Sequence, residues 1–100
     1  MSYELIITDV AEIHLAELEV WWDTNRRAAP RLTNELDKVA ILLCDNPKLP
    51  PVHRRIRDLE VRRVRLGVSP YYVYYTVDEE EREVIVLAFW SAMRRRGPDL

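Results

Sequence analysis

The spacing of hydrophobic residues changes near residue 50, and this change limits the folds that the chain can adopt. Before residue 50, two stretches carry apolar residues three and four positions apart, the spacing of one face of an α-helix. These residues are Ala11, Leu15, Leu18 and Trp22 in the first stretch, and Leu32, Leu36, Val39 and Leu43 in the second. Asp9, with Glu12 three residues later, resembles a capping box, so the first helix is predicted to begin at Asp9 and to end near Asn25. Pro30 suits a first helical turn and Asp-Asn-Pro at 45–47 ends the second helix, which together predict a helical hairpin.

The second half of the chain has the composition of β-strands. Strands are predicted at 60–66, 71–77 and 83–90, and one more at 3–8, from their β-branched and aromatic residues. The segment 49–58 is predicted to be a loop, because Pro50 and Pro51 fit neither a helix interior nor a central strand. The order β-α-α-β-β-β predicts a small α+β domain, an antiparallel-rich sheet with the helical hairpin on one face.

The composition is that of a folded, soluble protein. The 100 residues, 48% hydrophobic and 32% charged, predict a single domain over residues 1–100. Cys44 is the only cysteine, so it is expected to be an ordinary buried thiol in a reducing cytoplasm. No apolar stretch reaches the length of about 18 residues that crosses a bilayer, so no membrane association is expected. The sequence predicts neither a cofactor nor a metal site.

Positive charge is concentrated in the second half. Residues 1–50 hold five basic and nine acidic side chains, a net charge of −4, whereas residues 51–100 hold ten and eight, a net of +2. Nine of these ten basic residues lie in two runs, 54–65 and 94–96, and all are arginines. The planar guanidinium group suits paired contacts with phosphate or carboxylate groups. The alternative interpretation is a solvated basic surface.

Two stretches carry a resemblance to a known family. "VRRVRLGVSPYYVYYTVD" and the ending "VIVLAFWSAMRRRGP", in the context of the strand and helical hairpin before them, resemble the RelE/ParE superfamily of bacterial toxin–antitoxin toxins. The resemblance extends over roughly residues 3–98. It implies a cognate antitoxin encoded in the same operon, with which the toxin forms a hetero-oligomer. Some members cleave mRNA in the ribosome, and those that resemble ParE poison DNA gyrase.

The residues after the last strand favour binding over RNA cleavage. Cleavage through the 2′-hydroxyl needs a proton acceptor and a proton donor. Ribonucleases of this superfamily often place a His or Tyr after the last strand, where this chain has Trp90 and Ser91. Trp90 accepts no proton and Ser91 is a poor acid or base near neutrality. His14 falls in the first helix and His53 in the predicted loop, so no catalytic residue is assigned.

The arginines are then interpreted as a target-binding surface. The tail is expected to leave the last strand and to carry its arginines close to Arg63 and Arg65. The predicted target-binding residues are Arg63, Arg65, Tyr74, Trp90, Arg94, Arg95 and Arg96. Such a patch suits nucleic acid, an acidic surface on an enzyme such as gyrase, or an acidic antitoxin segment. The alternative is a tail that only confers solubility.

Two adjacent tryptophans are the predicted antitoxin-binding residues. Trp21 lies about 100° around the first helix from Trp22 and therefore off the Leu15–Leu18 stripe, although both could be buried. The function predicted from the sequence is that of a ParE-like toxin that binds its target, and the resemblance implies DNA gyrase as that target. The alternatives are a ribosome-dependent mRNA endonuclease and a non-toxic member that retains antitoxin binding.

Overall fold

The computed structural model describes residues 3–25, 29–66 and 70–100, and within them both predicted helices and all four predicted strands are present. The α+β class and the helical hairpin on a largely antiparallel sheet are confirmed. The elements in chain order are β1 (Glu4–Ile7), α1 (Asp9–Asn25), α2 (Ala29–Asp45), β2 (Val52–Ile56), β3 (Leu59–Arg65), β4 (Tyr71–Asp78) and β5 (Glu83–Ser91).

The loop predicted over 49–58 was wrong, because its middle forms strand β2. Pro50 and Pro51 precede this strand and therefore remove no hydrogen bond from it. Strand β2 also lies at the edge of the described sheet, where β3 is its one neighbour, so one side of its backbone needs no partner strand. Arg57, with a φ of 56°, makes the tight turn that leads into β3.

The five strands are arranged in the order β1-β5-β4-β3-β2. Strand β1 runs parallel to β5, with Leu5 opposite Val84, and the other three pairs are antiparallel. Strand β5 therefore has a neighbour on each side, in agreement with its continuous apolar sequence. Helices α1 and α2 pack against one face of this sheet, mainly over β5 and β1.

The first helix begins where the sequence predicts it, but its N-terminal cap is Thr8 and not Asp9. The Thr8 hydroxyl accepts a hydrogen bond from the Ala11 backbone N–H at 3.2 Å. It also donates to the Val86 carbonyl oxygen at 2.9 Å. A side-chain oxygen bonded to the third N–H of a helix is the usual N-cap arrangement. Thr8 therefore joins the start of α1 to the middle of β5.

The main core lies between the helices and the sheet. Its fully buried members include Leu18, Leu43 and Tyr75. The Tyr75 hydroxyl donates to the Pro47 carbonyl oxygen at 2.7 Å, and burial raises the pKa of Tyr75 to about 12. Cys44 is half-buried, and burial together with Asp45 raises the pKa of its thiol. A raised pKa disfavours the reactive thiolate, which agrees with an inert cysteine.

The opposite face of the sheet carries a second, smaller core that the helices do not cover. Val61, Tyr74 and Ala88 are buried there. Partly buried side chains surround them: Ile56, Tyr72, Leu87 and Trp90. This outer face also carries the arginines of β3, so the candidate site is built on it.

Candidate anion-binding site

The pairing of β3, β4 and β5 places arginines and aromatic rings side by side on the outer face. Arg63 lies opposite Tyr74 and Arg65 opposite Tyr72, while Tyr72 also lies opposite Trp90. Because side chains alternate along a strand, Tyr72 and Tyr74 share this face, whereas Tyr71 and Tyr75 pack on the helical side.

Arg63 is held in place by two tyrosines. Its guanidinium carbon lies 4.2 Å from the centre of the Tyr72 ring, a cation–π contact. Its Nη1 atom donates a hydrogen bond to the Tyr74 hydroxyl at 3.3 Å. The Tyr72 and Tyr74 rings also meet edge to face, with centroids 6.3 Å apart. The guanidinium group is therefore oriented before any ligand binds.

The tail after β5 folds back across the outer face. The chain turns at Ser91, whose carbonyl oxygen accepts a hydrogen bond from the Arg94 N–H at 3.3 Å. The Trp90 indole N–H then donates to the Arg96 carbonyl oxygen at 2.9 Å. Arg54 of β2 donates to the carbonyl oxygen of Pro98 at 3.0 Å, and Pro98 is buried between exposed neighbours. Strands β5 and β2 thus each hold the tail through a backbone carbonyl group.

The tail and the outer face border an open cavity of about 250 Å³, which we call the arginine cavity. It brings together six of the seven predicted target-binding residues, and their role in binding stays a prediction. The seventh, Arg65, is exposed and does not line the cavity. The lining residues are His53, Arg63, Tyr72, Tyr74, Trp90, Ser91, Ala92, Arg94, Arg95, Arg96 and Gly97.

His53 is the lining residue that the sequence placed in a loop. It occupies an irregularity in the pairing of β2 with β3, between Val52 and Arg54, and β-bulges of this kind redirect a side chain. Its ring meets that of Tyr74 edge to face, with centroids 5.7 Å apart. Burial, then the positive charges of Arg63 and Arg54, lower the pKa of His53. The lowered pKa favours the neutral form of the imidazole.

The arginine cavity has a positively charged lining. Arg63 and the three tail arginines form no ion pair with any carboxylate group of the described residues. Elsewhere the pattern is different, because Arg55 and Arg62 both pair with Glu60. The positive lining and its oriented guanidinium group make the cavity suitable for an anion.

Apolar side chains are exposed on α1. Trp21 is 40% exposed, and its ring meets that of Tyr71 with centroids 6.2 Å apart. Val10, Ile13 and Val20 are more exposed still. The Trp22 side chain lies outside the part of the structure that is described. The exposure of Trp21 is compatible with antitoxin binding, which stays a prediction for both tryptophans.

The described residues hold neither a cluster of metal ligands nor a helix suited to a membrane. No three His, Cys, Asp or Glu side chains come together there in a group that could hold a metal ion. None of the helices described combines the length and the apolar character needed to cross a bilayer.

Comparisons with known proteins give the family. The chain is similar in fold to a mutant of the Escherichia coli toxin RelE in the free state, with a TM-score of 0.61 and 21% identity over 93% of this chain and 86% of that one. No curated protein matches the sequence. The family model of the ParE toxin of type II toxin–antitoxin systems, parDE, matches residues 5–96. Because this match spans nearly the whole chain, the protein belongs to the ParE family of toxins, a membership that implies an antitoxin partner.

Proposed function

We propose that this toxin inhibits growth by binding its target through the arginine cavity, and that the target is DNA gyrase. The observation that carries the proposal is the set of four arginines, Arg63 and Arg94 to Arg96, around one cavity without carboxylate partners among the described residues. Membership of the ParE family supports gyrase as the target, since toxins that resemble ParE poison this enzyme.

The geometry favours a binding role because part of the cavity is already ordered. Arg63 is fixed between the Tyr72 ring and the Tyr74 hydroxyl group, so it loses little side-chain freedom when a ligand arrives. Ordering a flexible side chain on association costs about 0.5–1.5 kcal/mol. The backbone hydrogen bonds at Arg96 and Pro98 restrict the tail in the same way.

The experiment compares supercoiling by purified gyrase with and without the toxin. We expect the wild-type toxin to block supercoiling or to trap cleaved DNA, and Arg63→Gln to weaken this effect. Arg55→Gln is the matched control, because it removes the same charge from a residue that pairs with Glu60 and does not line the cavity. Supercoiling that continues normally at toxin concentrations that stop growth would exclude gyrase.

His53 favours a second candidate function, ribosome-dependent cleavage of mRNA. A neutral imidazole can take the proton of a 2′-hydroxyl group, while the neighbouring arginines stabilise negative charge on the phosphate. Codon-positioned cuts in a translating extract that His53→Gln abolishes would establish this function. If the extract leaves mRNA intact while supercoiling is blocked, the binding function stands.

The antitoxin completes the proposed system. We place its gene in the same operon and both proteins in the cytoplasm, where they form a hetero-oligomer. The exposed apolar side chains on α1, among them Trp21, provide a surface that a folding antitoxin segment could cover. A protein that binds the antitoxin but neither gyrase nor the ribosome would be a non-toxic member of the family.

A further inference from the structure

A second polar cavity lies beside the arginine cavity. It measures about 230 Å³ and is situated between α1 and the end of β5, so we call it the helix cavity. His14, Glu17 and Ser91 contribute polar groups to its walls. At roughly 30 Å³ for each water molecule, either cavity has room for about eight water molecules, which is more space than one pyrimidine base needs because bonded ring atoms pack closer than water.

Trp90 and Arg94 form the wall that separates the two cavities. The Arg94 guanidinium carbon lies 4.2 Å from the centre of the indole ring. Both residues line the arginine cavity on one side and the helix cavity on the other. On the helix side, the His14 ring meets the indole edge to face, with centroids 5.5 Å apart. A ligand that enters both cavities can therefore contact Arg94 from each of them.

The two cavities differ in chemistry. The arginine cavity supplies positive charge and aromatic surfaces, whereas the helix cavity supplies hydrogen-bonding groups. Glu17 is an acceptor when ionised. The Nδ1 atom of His14 accepts a hydrogen bond from the Phe89 N–H at 3.3 Å, which leaves Nε2 as the donor. An amino group on a base edge is a natural partner for a carboxylate, as in the pairing of Glu with cytosine N4.

We propose that the two cavities bind consecutive nucleotides of a single-stranded nucleic acid, with one base in each and the connecting phosphate at Arg94. Guanidinium planes and aromatic rings are the surfaces on which unpaired bases stack. A duplex keeps its bases stacked inside and cannot offer them to the cavities. An acidic peptide would pair with the charges but would place no flat ring against the guanidinium planes of Arg63 and Arg94. This proposal extends the proposed function. It rests on that function in one respect only, the assignment of the arginine cavity as the target-binding surface.

Fluorescence anisotropy with short labelled oligonucleotides tests the proposal without gyrase. We expect single strands, of DNA or of RNA, to bind at least about tenfold more tightly than a duplex of equal length at the same salt concentration, from the stacking of two bases. Arg94→Gln should weaken single-strand binding and reduce the salt slope by about one. Arg55→Gln, which removes the same charge outside both cavities, should leave the preference for single strands unchanged.

Glu17→Gln tests the helix cavity. Glu19→Gln is the matched control, because Glu19 is also exposed on α1 but does not line the cavity. The readout is the ratio of affinities for cytosine and thymine strands, or for cytosine and uracil strands in RNA, which a general change in charge does not alter. We expect the wild type to prefer cytosine by about fivefold or more, the value of one good base contact. Glu17→Gln should reduce that preference, and Glu19→Gln should keep it.

Two outcomes would overturn the proposal. One is equal affinity for duplexes and single strands, or displacement of the strands by polyglutamate at equal charge, since either would indicate charge recognition alone. The other is a base preference that Glu17→Gln leaves intact. Gyrase inhibition without oligonucleotide binding would refute this inference and leave the proposed function in place. Oligonucleotide binding without gyrase inhibition would refute gyrase as the target and leave this inference in place.

Discussion

Replacement of Arg94, Arg95 and Arg96 by Gln should separate the folding of this toxin from its action. All three side chains are exposed and form no ion pair with a carboxylate among the described residues. The bonds that hold the tail use the carbonyl groups of Arg96 and Pro98, which the substitutions keep. The stability cost is therefore limited to the contact between Arg94 and Trp90, about 0.5–1 kcal/mol for an exposed cation–π pair. In a domain of this size, a cost of about 1 kcal/mol lowers the Tm by about 4–8 °C.

The three substitutions should weaken target binding more than they lower the stability of the fold. For the single-stranded oligonucleotides proposed above, removal of one phosphate-binding cation lowers the slope of log affinity against log salt by about 0.7–0.9, so removal of all three tail arginines should lower it by about two to three. Loss of positive charge also slows association with an anionic target. We expect the triple variant to fold, to retain some antitoxin binding and to lose most of its growth inhibition.

The assay is growth after induction, measured beside a thermal melt of each purified variant. The control is a triple variant in which Lys38, Arg55 and Arg57, exposed residues outside the arginine cavity, are replaced by Gln. It carries the same net charge and should remain toxic. If the tail variant is fully toxic with an unchanged melt, the arginine run is only a solvated end and the reasoning about the cavity fails.

Three other changes test separate parts of the structure. Trp21→Ala should weaken the antitoxin complex by more than about 1 kcal/mol, as an interface anchor would, and unchanged affinity by calorimetry would remove this residue from the interface. Folding lowers the pKa of His53, so below about pH 6.5 the unfolded state binds a proton more readily than the folded state does. The free energy of unfolding therefore decreases as the pH falls from about 6.5 through the lowered pKa. His53→Gln should therefore lose less stability than wild type when melts at neutral and acidic pH are compared, and equal losses would contradict this. Tyr75→Phe should cost about 1–3 kcal/mol because the buried Pro47 carbonyl group loses its donor. Tyr72→Phe is its control in the same melts, and equal costs would show that the Tyr75 hydrogen bond contributes nothing.

The elements with a regular hydrophobic period could be predicted from the sequence, and the element without one could not. Both helices and the strands with β-rich composition were identified. Strand β2 was missed because two prolines precede it, and the irregularity at His53 breaks the alternation of apolar and polar residues. His53 was assigned to a loop because Pro50 and Pro51 precede it.

The candidate site was predictable to the extent that it depends on residues within one strand. The alternation of Arg63 and Arg65 put both on one face, but it does not reveal where the tail crosses that face. The tail passes over Trp90 and Tyr74 and reaches β2, so the cavity includes Arg63 and excludes Arg65. That path is determined by hydrogen bonds to backbone carbonyl groups, which leave no pattern in the sequence.

The parallel pairing of β1 with β5 determines when during synthesis the sheet can be completed. Glu4 pairs with Glu83, so the first strand cannot join the sheet until β5 has left the ribosome. At about 5–20 residues per second, the intervening chain takes roughly 4–16 s to synthesise. The arginine cavity needs β5 and the tail as well, so this candidate site forms only after both have left the ribosome. Under the proposed function, an antitoxin has that interval in which to fold and to meet the toxin before the cavity exists.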